Sequence, residues 1–211
     1  MFDMAPLKAP GSDGFHALFF QKHWNTIGEA VCEWVRKVFE GNPIDSELNN
    51  TLIVLILKVQ NPKTFAQFRP ISLCSVLYKL IMKVITNRFK HIFPKIIAHE
   101  QTGFIAGRSI IENIILTQEV IHTMRSQKKQ KWMAIKIDLE KAYDRVSWKF
   151  IEVSLRVVSI PDYLNNVIMS SISNSTMQVM WNGAPLSKFK PVRGVRQGCP
   201  LSPYLFVLCM E

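Results

Sequence analysis

The sequence is poor in the features that define several common protein classes. It has four cysteines in 211 residues, and no two of them have C-x-x-C spacing. A disulfide framework, a disulfide-linked partner and a zinc site are therefore disfavoured, and a reducing intracellular compartment, nuclear or cytoplasmic, fits better. The apolar run at residues 52–57 is far shorter than the roughly 20 residues that span a bilayer. The N-terminus lacks the basic and apolar regions of a secretory signal, so we expect no membrane partner.

Acidic residues are missing from two long stretches. No Asp or Glu lies between Glu47 and Glu100, and none lies between Asp162 and Glu211. The chain holds 26 Lys and Arg against 16 Asp and Glu, which gives a net charge of +10. If the two stretches meet in the fold, they form a positive surface suited to a phosphate backbone. A merely solvated basic face fits the charge equally well.

Hydrophobic periodicity predicts several amphipathic helices. The first covers residues 15–38, with an interruption at Gly28 and an end at residues 41–43. The second covers residues 76–89. The third follows a capping box formed by Ser109 and Glu112. A fourth begins past Tyr143 and turns Ile151, Leu155 and Val158 inward, and a last helix begins with Ser202 as N-cap and proline at the first helical position.

Shorter patterns predict strands and loops. A continuous apolar run at residues 52–57 is typical of a buried strand, and residues 61–70 and 101–108 resemble loops. Residues 176–181 form another predicted strand, followed by an Asn-Gly turn signal. The strict alternation of apolar and polar residues over 133–139 predicts a strand with one apolar face. A polar stretch at residues 126–131 precedes it.

Asp138 is the first residue with a chemical interpretation. It lies at the C-terminal end of the predicted strand at 133–139, opposite the isoleucines. A carboxylate there could hold Mg²⁺, although one carboxylate alone cannot assemble a two-metal site. It could equally cap the next helix, and Asp144 more readily has such a structural role. Tyr143 would by default be a core aromatic residue.

The second chemical signal is the basic loop at residues 193–198. Arg193 and Arg196 could bind phosphate, and Gly194 and Gly198 would let the backbone approach a ligand closely. The spacing matches neither a Walker motif nor a dinucleotide-binding motif. A polar connection between a hairpin and a helix explains the same residues. The five histidines are dispersed and indicate no catalytic triad.

Five segments in this order resemble the reverse transcriptase domain of plant LINE-type (non-LTR) retrotransposons, from about Met4 to Glu211. The segments are residues 7–15; 50–58 with 68–73; 101–104 with 107–108; 134–146; and 194–203. The resemblance implies an α+β fold, a right-hand polymerase with fingers and a partial palm, in which helices pack on a small antiparallel sheet. Residues 1–130 would form the fingers-like region with the N-terminal helices, and residues 131–211 the partial palm.

The resemblance also implies roles for individual residues. Asp138 corresponds to the first metal-binding aspartate and would be catalytic, with Mg²⁺ as cofactor. The residues expected at the nucleotide are Lys58 and Arg69 on its triphosphate, Tyr143 against a ribose 2′-hydroxyl, and Gln197 with Gly198 beside nucleotide and template. Independently of the resemblance, the basic loop makes Arg193 and Arg196 the expected nucleic-acid contacts. The partners of the intact family are an RNA template, a DNA primer and dNTPs.

The sequence departs from the family pattern at three places. Leu57 and Ser12 stand where the family usually has proline. The next family block, [FY]-x-D-D, supplies the remaining metal-binding aspartates, and no Asp-Asp pair occurs in these residues. The uncapped apolar run at residues 204–210 adds to the expectation of a truncated domain. Three hypotheses remain: a partial polymerase domain that is inactive alone, a residual basic nucleic-acid-binding module, or an inert remnant that folds poorly.

Overall fold

A computed structural model, which describes residues 1–127 and 131–211, contains helices packed around a small sheet. The described helices are α1 (Ala17–Lys22), α2 (Trp24–Phe39), α3 (Val76–Ile96), α4 (Ile110–Ser126), α5 (Ala142–Arg145), α6 (Trp148–Val157), α7 (Asp162–Ser173) and α8 (Ser202–Met210). The strands are β1 (Asn50–Leu57), β2 (Phe68–Cys74), β3 (Thr176–Trp181) and β4 (Ala184–Pro185). The predicted α+β class is confirmed.

The sheet has the order β2-β1-β3-β4. β1 and β2 pair antiparallel, with Leu57 opposite Phe68, and β3 pairs antiparallel with β4. β1 and β3 run parallel, so the sheet is mixed, whereas the resemblance implied an antiparallel sheet. The predicted Asn-Gly turn is confirmed, because Asn182 and Gly183 both have positive φ, as a tight hairpin turn requires.

One hydrophobic core joins residues from both halves of the chain. Buried side chains of α3, α6, α7 and α8 form a single cluster, in which Ile81, Ile151, Leu155 and Ile168 are fully buried. Each side chain of this size contributes about 1.5–3 kcal/mol by leaving water. The predicted inward face of α6 is therefore confirmed. The predicted domain boundary adjoins residues 128–130, and these, which are half of the polar stretch at 126–131, lie outside the described residues.

The first predicted helix is interrupted at a different residue. The chain breaks at His23, between α1 and α2, whereas Gly28 lies buried inside α2. A Cβ atom at position 28 would approach the Trp24 indole to 2.8 Å, so this glycine admits an aromatic ring and does not break the helix. The predicted end of the helix holds, because Gly41 follows it with a φ of 113°.

Other boundaries move by a few residues. The predicted loop at residues 61–70 contains a 3₁₀ turn and the start of β2, and β1 is half-buried with an exposed end. Ser109 caps α4 by accepting a hydrogen bond from the Ile111 amide, but no reciprocal bond from Glu112 is present in the described structure. The last helix is capped at Leu201, one residue earlier than predicted, because it follows directly on the turn at Cys199.

The predicted strand at residues 133–139 is wrong. Residues 131–139 run without regular secondary structure, and the side chains of Met133, Ile135 and Ile137 are each more than 70% exposed. A strand exists only through ladder hydrogen bonds to a neighbour, and no strand within residues 1–127 or 131–211 pairs with it. The alternation correctly identifies the apolar side chains, but it cannot say whether a partner lies within reach.

Two apolar surfaces are left outside the core. α4 has no buried residue, although Ile111, Ile114 and Ile115 line it, and the extended segment at 131–139 is similarly exposed.

Within the described ranges, no helix combines the length and the apolar character needed to cross a membrane.

Candidate nucleotide-binding cleft

A cavity of about 720 Å³ lies where three parts of the chain converge. The ends of β1 and β2 form one wall, residues 138–144 form the second, and the loop before α8 forms the third. The structure thereby brings together five of the residues singled out in the sequence: Lys58, Arg69, Asp138, Tyr143 and Gln197 all line this cleft. They are separated by up to 139 residues in the chain, so only the tertiary fold assembles them.

Lys58 and Arg69 are presented by the end of the β1–β2 hairpin. Arg69 lies opposite Ile56 in the antiparallel ladder, and the Lys58 amide donates to the Gln67 carbonyl at 2.9 Å. Thr64 and Gln67 cap the intervening 3₁₀ turn reciprocally, which fixes the connection. Both cationic side chains are exposed, and neither forms an ion pair within the described structure. They are therefore positioned to bind an anion.

Tyr143 is held by stacking. Its ring lies parallel to Phe206 of α8, with centroids 5.1 Å apart and planes 15° apart. Burial raises the pKa of the Tyr143 phenol above its ordinary value, so the hydroxyl stays neutral at physiological pH. The half-buried ring thus offers a rigid, uncharged surface to the cleft.

A backbone clamp joins the Tyr143 segment to the loop before α8. The amides of Gly194 and Val195 donate to the carbonyls of Val146 and Tyr143 at 2.7 and 2.8 Å, and Trp148 Nε1 donates to the Gly194 carbonyl at 2.7 Å. Gly194 has a φ of 86°, and a Cβ there would lie 2.9 Å from the Asp144 carbonyl oxygen. Only glycine allows this approach. The Trp148 indole therefore adds one side-chain bond to the clamp.

The same loop is tied to β2 on its other side. The Ser72 amide donates to the Gln197 carbonyl at 2.7 Å, which leaves the Gln197 side chain at the cleft. Gly198 has a φ of 113°, and a Cβ there would lie 3.0 Å from the Ser72 carbonyl oxygen. Gly198 does not line the cleft; it faces a second cavity on the far side of the loop. Gln197 and Gly198, predicted to lie together beside the nucleotide, therefore line two different cavities.

The predicted nucleic-acid contact by Arg196 is wrong, because this side chain is buried. The residue is only 3% exposed, and its guanidinium lies over the Tyr78 ring at 4.3 Å. The Nη2 nitrogen donates to Asn49 Oδ1 at 2.5 Å and to the Ser171 carbonyl at 3.2 Å. A side chain enclosed in this way cannot reach a ligand at the surface. Arg193 is exposed and does not line the cleft.

Asp138 does not complete a metal site by itself. Its carboxylate is exposed at the cleft, and the nearest acidic groups of the same wall are Glu140 and Asp144. In residues 1–127 and 131–211, no three His, Cys, Asp or Glu side chains are grouped closely enough to hold an ion. Asp138 alone therefore does not hold a resident ion, but a single carboxylate fits Mg²⁺ that is also held by the phosphates of a bound nucleotide.

Lys141 is a cleft residue that the sequence did not indicate. It lines the wall beside Asp138 and begins α5 in the left-handed conformation, with φ of 52°. Such a conformation costs a non-glycine residue about 1 kcal/mol and is found preferentially at functional positions. Composition carried no signal for it, because Lys141 lies outside both acid-free stretches.

Comparison with known proteins identifies a polymerase family. Residues 59–211 match the family described as "Reverse transcriptase (RNA-dependent DNA polymerase)". The chain is 28% identical over 204 residues to the "Transposon TX1 uncharacterized 149 kDa protein" of Xenopus laevis, covering 97% of this chain and 16% of that protein. It is 30% identical over 188 residues to the "Retrovirus-related Pol polyprotein from type-1 retrotransposable element R2" of Nasonia vitripennis, covering 89% and 18%.

A short match has higher identity. Over 30 residues, or 14% of this chain and 25% of the relative, the sequence is 67% identical to the "Uncharacterized mitochondrial protein AtMg01250" of Arabidopsis thaliana. The chain spans less than a fifth of the length of the TX1 and Nasonia R2 proteins.

Proposed function

Because the chain belongs to the reverse transcriptase (RNA-dependent DNA polymerase) family and has non-LTR retrotransposon relatives, we propose that its cleft is the nucleotide-binding face of a reverse transcriptase domain. The observation that carries this proposal is the convergence of Lys58, Arg69, Asp138, Tyr143 and Gln197 on one cavity. The proposed origin is a plant LINE-type element: the retrotransposon relatives support the LINE type, and the 67% identity over 30 residues to an Arabidopsis thaliana protein supports the plant source.

Each cleft residue has a role that fits its chemistry. Lys58 and Arg69 neutralise the triphosphate of an incoming nucleotide, and the guanidinium can bind phosphate through two parallel hydrogen bonds. Tyr143, fixed against Phe206, packs where a ribose 2′-hydroxyl would need space. Gln197 supplies an amide that can donate and accept beside the base pair. Gly198 lets the loop lie close to β2, between the nucleotide and the template.

Asp138 is the proposed carboxylate ligand for Mg²⁺, the metal that we infer for this domain. Polymerases use two ions to hold the attacking and leaving oxygens, and a single exposed carboxylate does not hold two. Asp138 would therefore supply one carboxylate ligand to an ion that the phosphates of the bound nucleotide also hold, and that ion would offset the negative charge of the triphosphate.

The proposed partners follow from the same assignment. They are an RNA template, a DNA primer and dNTPs, met in the nucleus or the cytoplasm. Residues 1–130 would serve as the fingers-like region and residues 131–211 as part of the palm. A basic nucleic-acid-binding module without catalysis is the second candidate, favoured by the net charge of +10.

Nucleotide binding tests the proposal directly. We expect a fluorescent dNTP to bind the chain, and Arg69→Ala to weaken the affinity roughly tenfold or more, because a charge-assisted hydrogen bond contributes about 1.5–3 kcal/mol. Arg36→Ala, which removes an exposed arginine from α2, is the matched control and should leave the affinity unchanged. Equal effects of the two substitutions would overturn the assignment of the cleft.

Primer extension on an RNA template completes this test. We expect no product with Mg²⁺ or Mn²⁺, because the sequence has no Asp-Asp pair to accompany Asp138. A product that disappears with Asp138→Asn would show instead that these residues suffice for catalysis. Absence of both nucleotide binding and extension would favour the second candidate.

A further inference from the structure

A second cavity, of about 410 Å³, lies behind the loop that closes the cleft. It is formed by the N-terminal segment, β2, the start of α3 and the Gly198 turn. Lys8, Lys79 and Lys83 line it, and the single acidic residue in its lining is Asp3. The remaining lining side chains are aliphatic or small, and none is aromatic. The cavity is thus cationic but offers no ring on which a base could stack.

One of these lysines is partly withdrawn from water. Lys79 Nζ donates to the Ala9 carbonyl at 3.1 Å, which ties the N-terminal segment to α3. Burial lowers the pKa of Lys79 below its ordinary value, with a smaller opposing effect from Asp13. A less hydrated ammonium group interacts more strongly with an anion than a fully solvated one does.

The positive charge continues along α3. At 3.6 residues per turn, Lys79, Lys83 and Lys90 lie within about 40° of one another around the helix axis, and they span roughly 17 Å along it. Asn87 extends the same face. Lys90 is exposed and Lys83 is half-buried, and neither forms an ion pair in the part of the chain that the structure describes. These lysines therefore form one continuous row.

The opposite flank of α3 differs. The Arg88 guanidinium lies 5.2 Å from the centroid of the Phe39 ring, and its Nη1 is 3.5 Å from the Tyr163 hydroxyl. This cation packs α3 against α2 and α7, so it is engaged within the fold. The basic residues of α3 thus divide into a packing set and a solvent-facing row.

β2 connects this row to the cleft. Arg69 and Pro70 line the cleft, whereas the next residues, Ile71 and Ser72, line the second cavity. The two cavities are therefore adjacent along one strand. The Gln197–Gly198 turn lies between them, with one residue facing each side.

We propose that Lys8, Lys79, Lys83 and Lys90 form a basic track that binds the phosphate backbone of the single-stranded template on its way to the cleft. The proposal rests on the proposed function, since it assigns the path of the strand beyond the nucleotide site. A row of lysines roughly 17 Å long can contact several phosphates of one strand. Because these lysines would contact phosphates and not base edges, binding is independent of base sequence.

The salt dependence of RNA binding tests the track. The probe is a labelled single-stranded RNA of mixed sequence, and the variant is Lys83→Gln with Lys90→Gln, which keeps good helix formers in α3. Each lysine that neutralises a phosphate contributes about 0.7 to the slope of log K against log salt. We therefore expect the double variant to flatten the slope by about 1.4 and to weaken binding equally for probes of different base composition.

The matched control removes the same charge elsewhere. Lys95→Gln with Lys22→Gln changes one exposed lysine on the other flank of α3 and one at the end of α1. The control should keep the wild-type slope. Equal flattening in both double variants would show a general charge effect and overturn the track, as would an unchanged slope in the Lys83/Lys90 variant or an absence of RNA binding at low salt.

Nucleotide binding separates the two proposals. The Lys83/Lys90 variant should bind the fluorescent dNTP as the wild-type chain does, because neither lysine lines the cleft. If dNTP binding depends on Arg69 but the RNA slope does not depend on the two lysines, the cleft stands and the track fails. If the slope flattens as expected while dNTP binding ignores Arg69, the assignment of the cleft fails and the surface is a nucleic-acid-binding one only.

Discussion

Arg196 organises the buried side of the loop that carries Gln197. Its guanidinium donates to Asn49, the residue before β1, and to the Ser171 carbonyl of α7. It also lies 4.0 Å from Cys74 Sγ at the end of β2. The Nε atom has no hydrogen-bond partner in the described structure. Burial of this charge is supported by the Tyr78 ring and by neutral acceptors, and none of the ion pairs among the described residues includes Arg196.

Removal of Arg196 should destabilise the fold. We expect Arg196→Ala to cost about 3 kcal/mol, because it leaves buried acceptors unpaired and opens a cavity. Arg196→Met fills most of that volume and should cost less, about 1–2 kcal/mol. The exposed Arg193 of the same loop is the control, and Arg193→Ala should cost less than about 0.5 kcal/mol. Urea unfolding measures all three, and equal losses at positions 193 and 196 would contradict the structural role.

The two arginines also mark what sequence can and cannot resolve at a single residue. Both are arginines of the same loop, and their charge alone led to the prediction that both contact nucleic acid. Their environments differ, since Arg193, just before the Gly194 turn, is exposed to solvent, whereas Arg196, two residues after it, is buried. By contrast, Lys58, Arg69, Tyr143 and Gln197 could be selected by resemblance, and the structure places all four at one cleft.

At the scale of elements, the clamp between residues 143–148 and 194–195 aligns two walls of the cleft. It consists of backbone bonds and one indole bond, so it depends on close approach more than on side-chain identity. Gly194 is the point of closest approach. A Cβ at this residue would press on the backbone of Asp144, which cannot move as a flexible side chain can.

Gly194→Ala should therefore destabilise more than a comparable substitution in an open turn. Gly183 provides the comparison, since its φ of 81° matches the 86° of Gly194 but no atom lies within 4 Å of a Cβ there. We expect Gly183→Ala to cost about 1 kcal/mol for the backbone conformation alone. Gly194→Ala should add about 1–3 kcal/mol for overpacking. Urea unfolding compares the two, and equal costs would show that the clamp tolerates displacement.

Secondary structure was predictable where one segment carries its own signal. The helices α3 and α6, the strand β1 and the Asn182–Gly183 turn each follow from local periodicity or turn chemistry. The errors arise where a distant partner decides. Gly28 breaks no helix because Trp24 covers it, and β2 begins within a predicted loop because β1 supplies its ladder.

At the scale of the molecule, stability is distributed unevenly. The core cluster draws on α2, α3, α6, α7 and α8, whereas α4 and residues 131–139 contribute no buried side chain. Asp138 is therefore held by one of the least supported segments, while Lys58, Arg69 and Gln197 are held by strands and a clamped loop. The side of the cleft that carries Lys58 and Arg69 is therefore preorganised to a greater degree than the side that carries Asp138.

Hydrogen exchange should report this gradient. Amides of residues 131–139 donate no backbone hydrogen bond in the described structure, so they should exchange fastest. Residues 51–53 of β1, which pair with both β2 and β3, should be strongly protected. α4 should be intermediate, because it has helical hydrogen bonds but no buried face.

Mass spectrometry of peptides from these regions makes the comparison within one sample, so solvent and temperature cannot explain a difference. Protection of residues 133–139 equal to that of β1 would mean that the segment pairs as a strand in solution, as its alternation predicts. Asp138 would then be held as firmly as Lys58 and Arg69. Rapid exchange there, with β1 protected, would instead locate the weak part of the cleft at its only proposed metal-binding carboxylate.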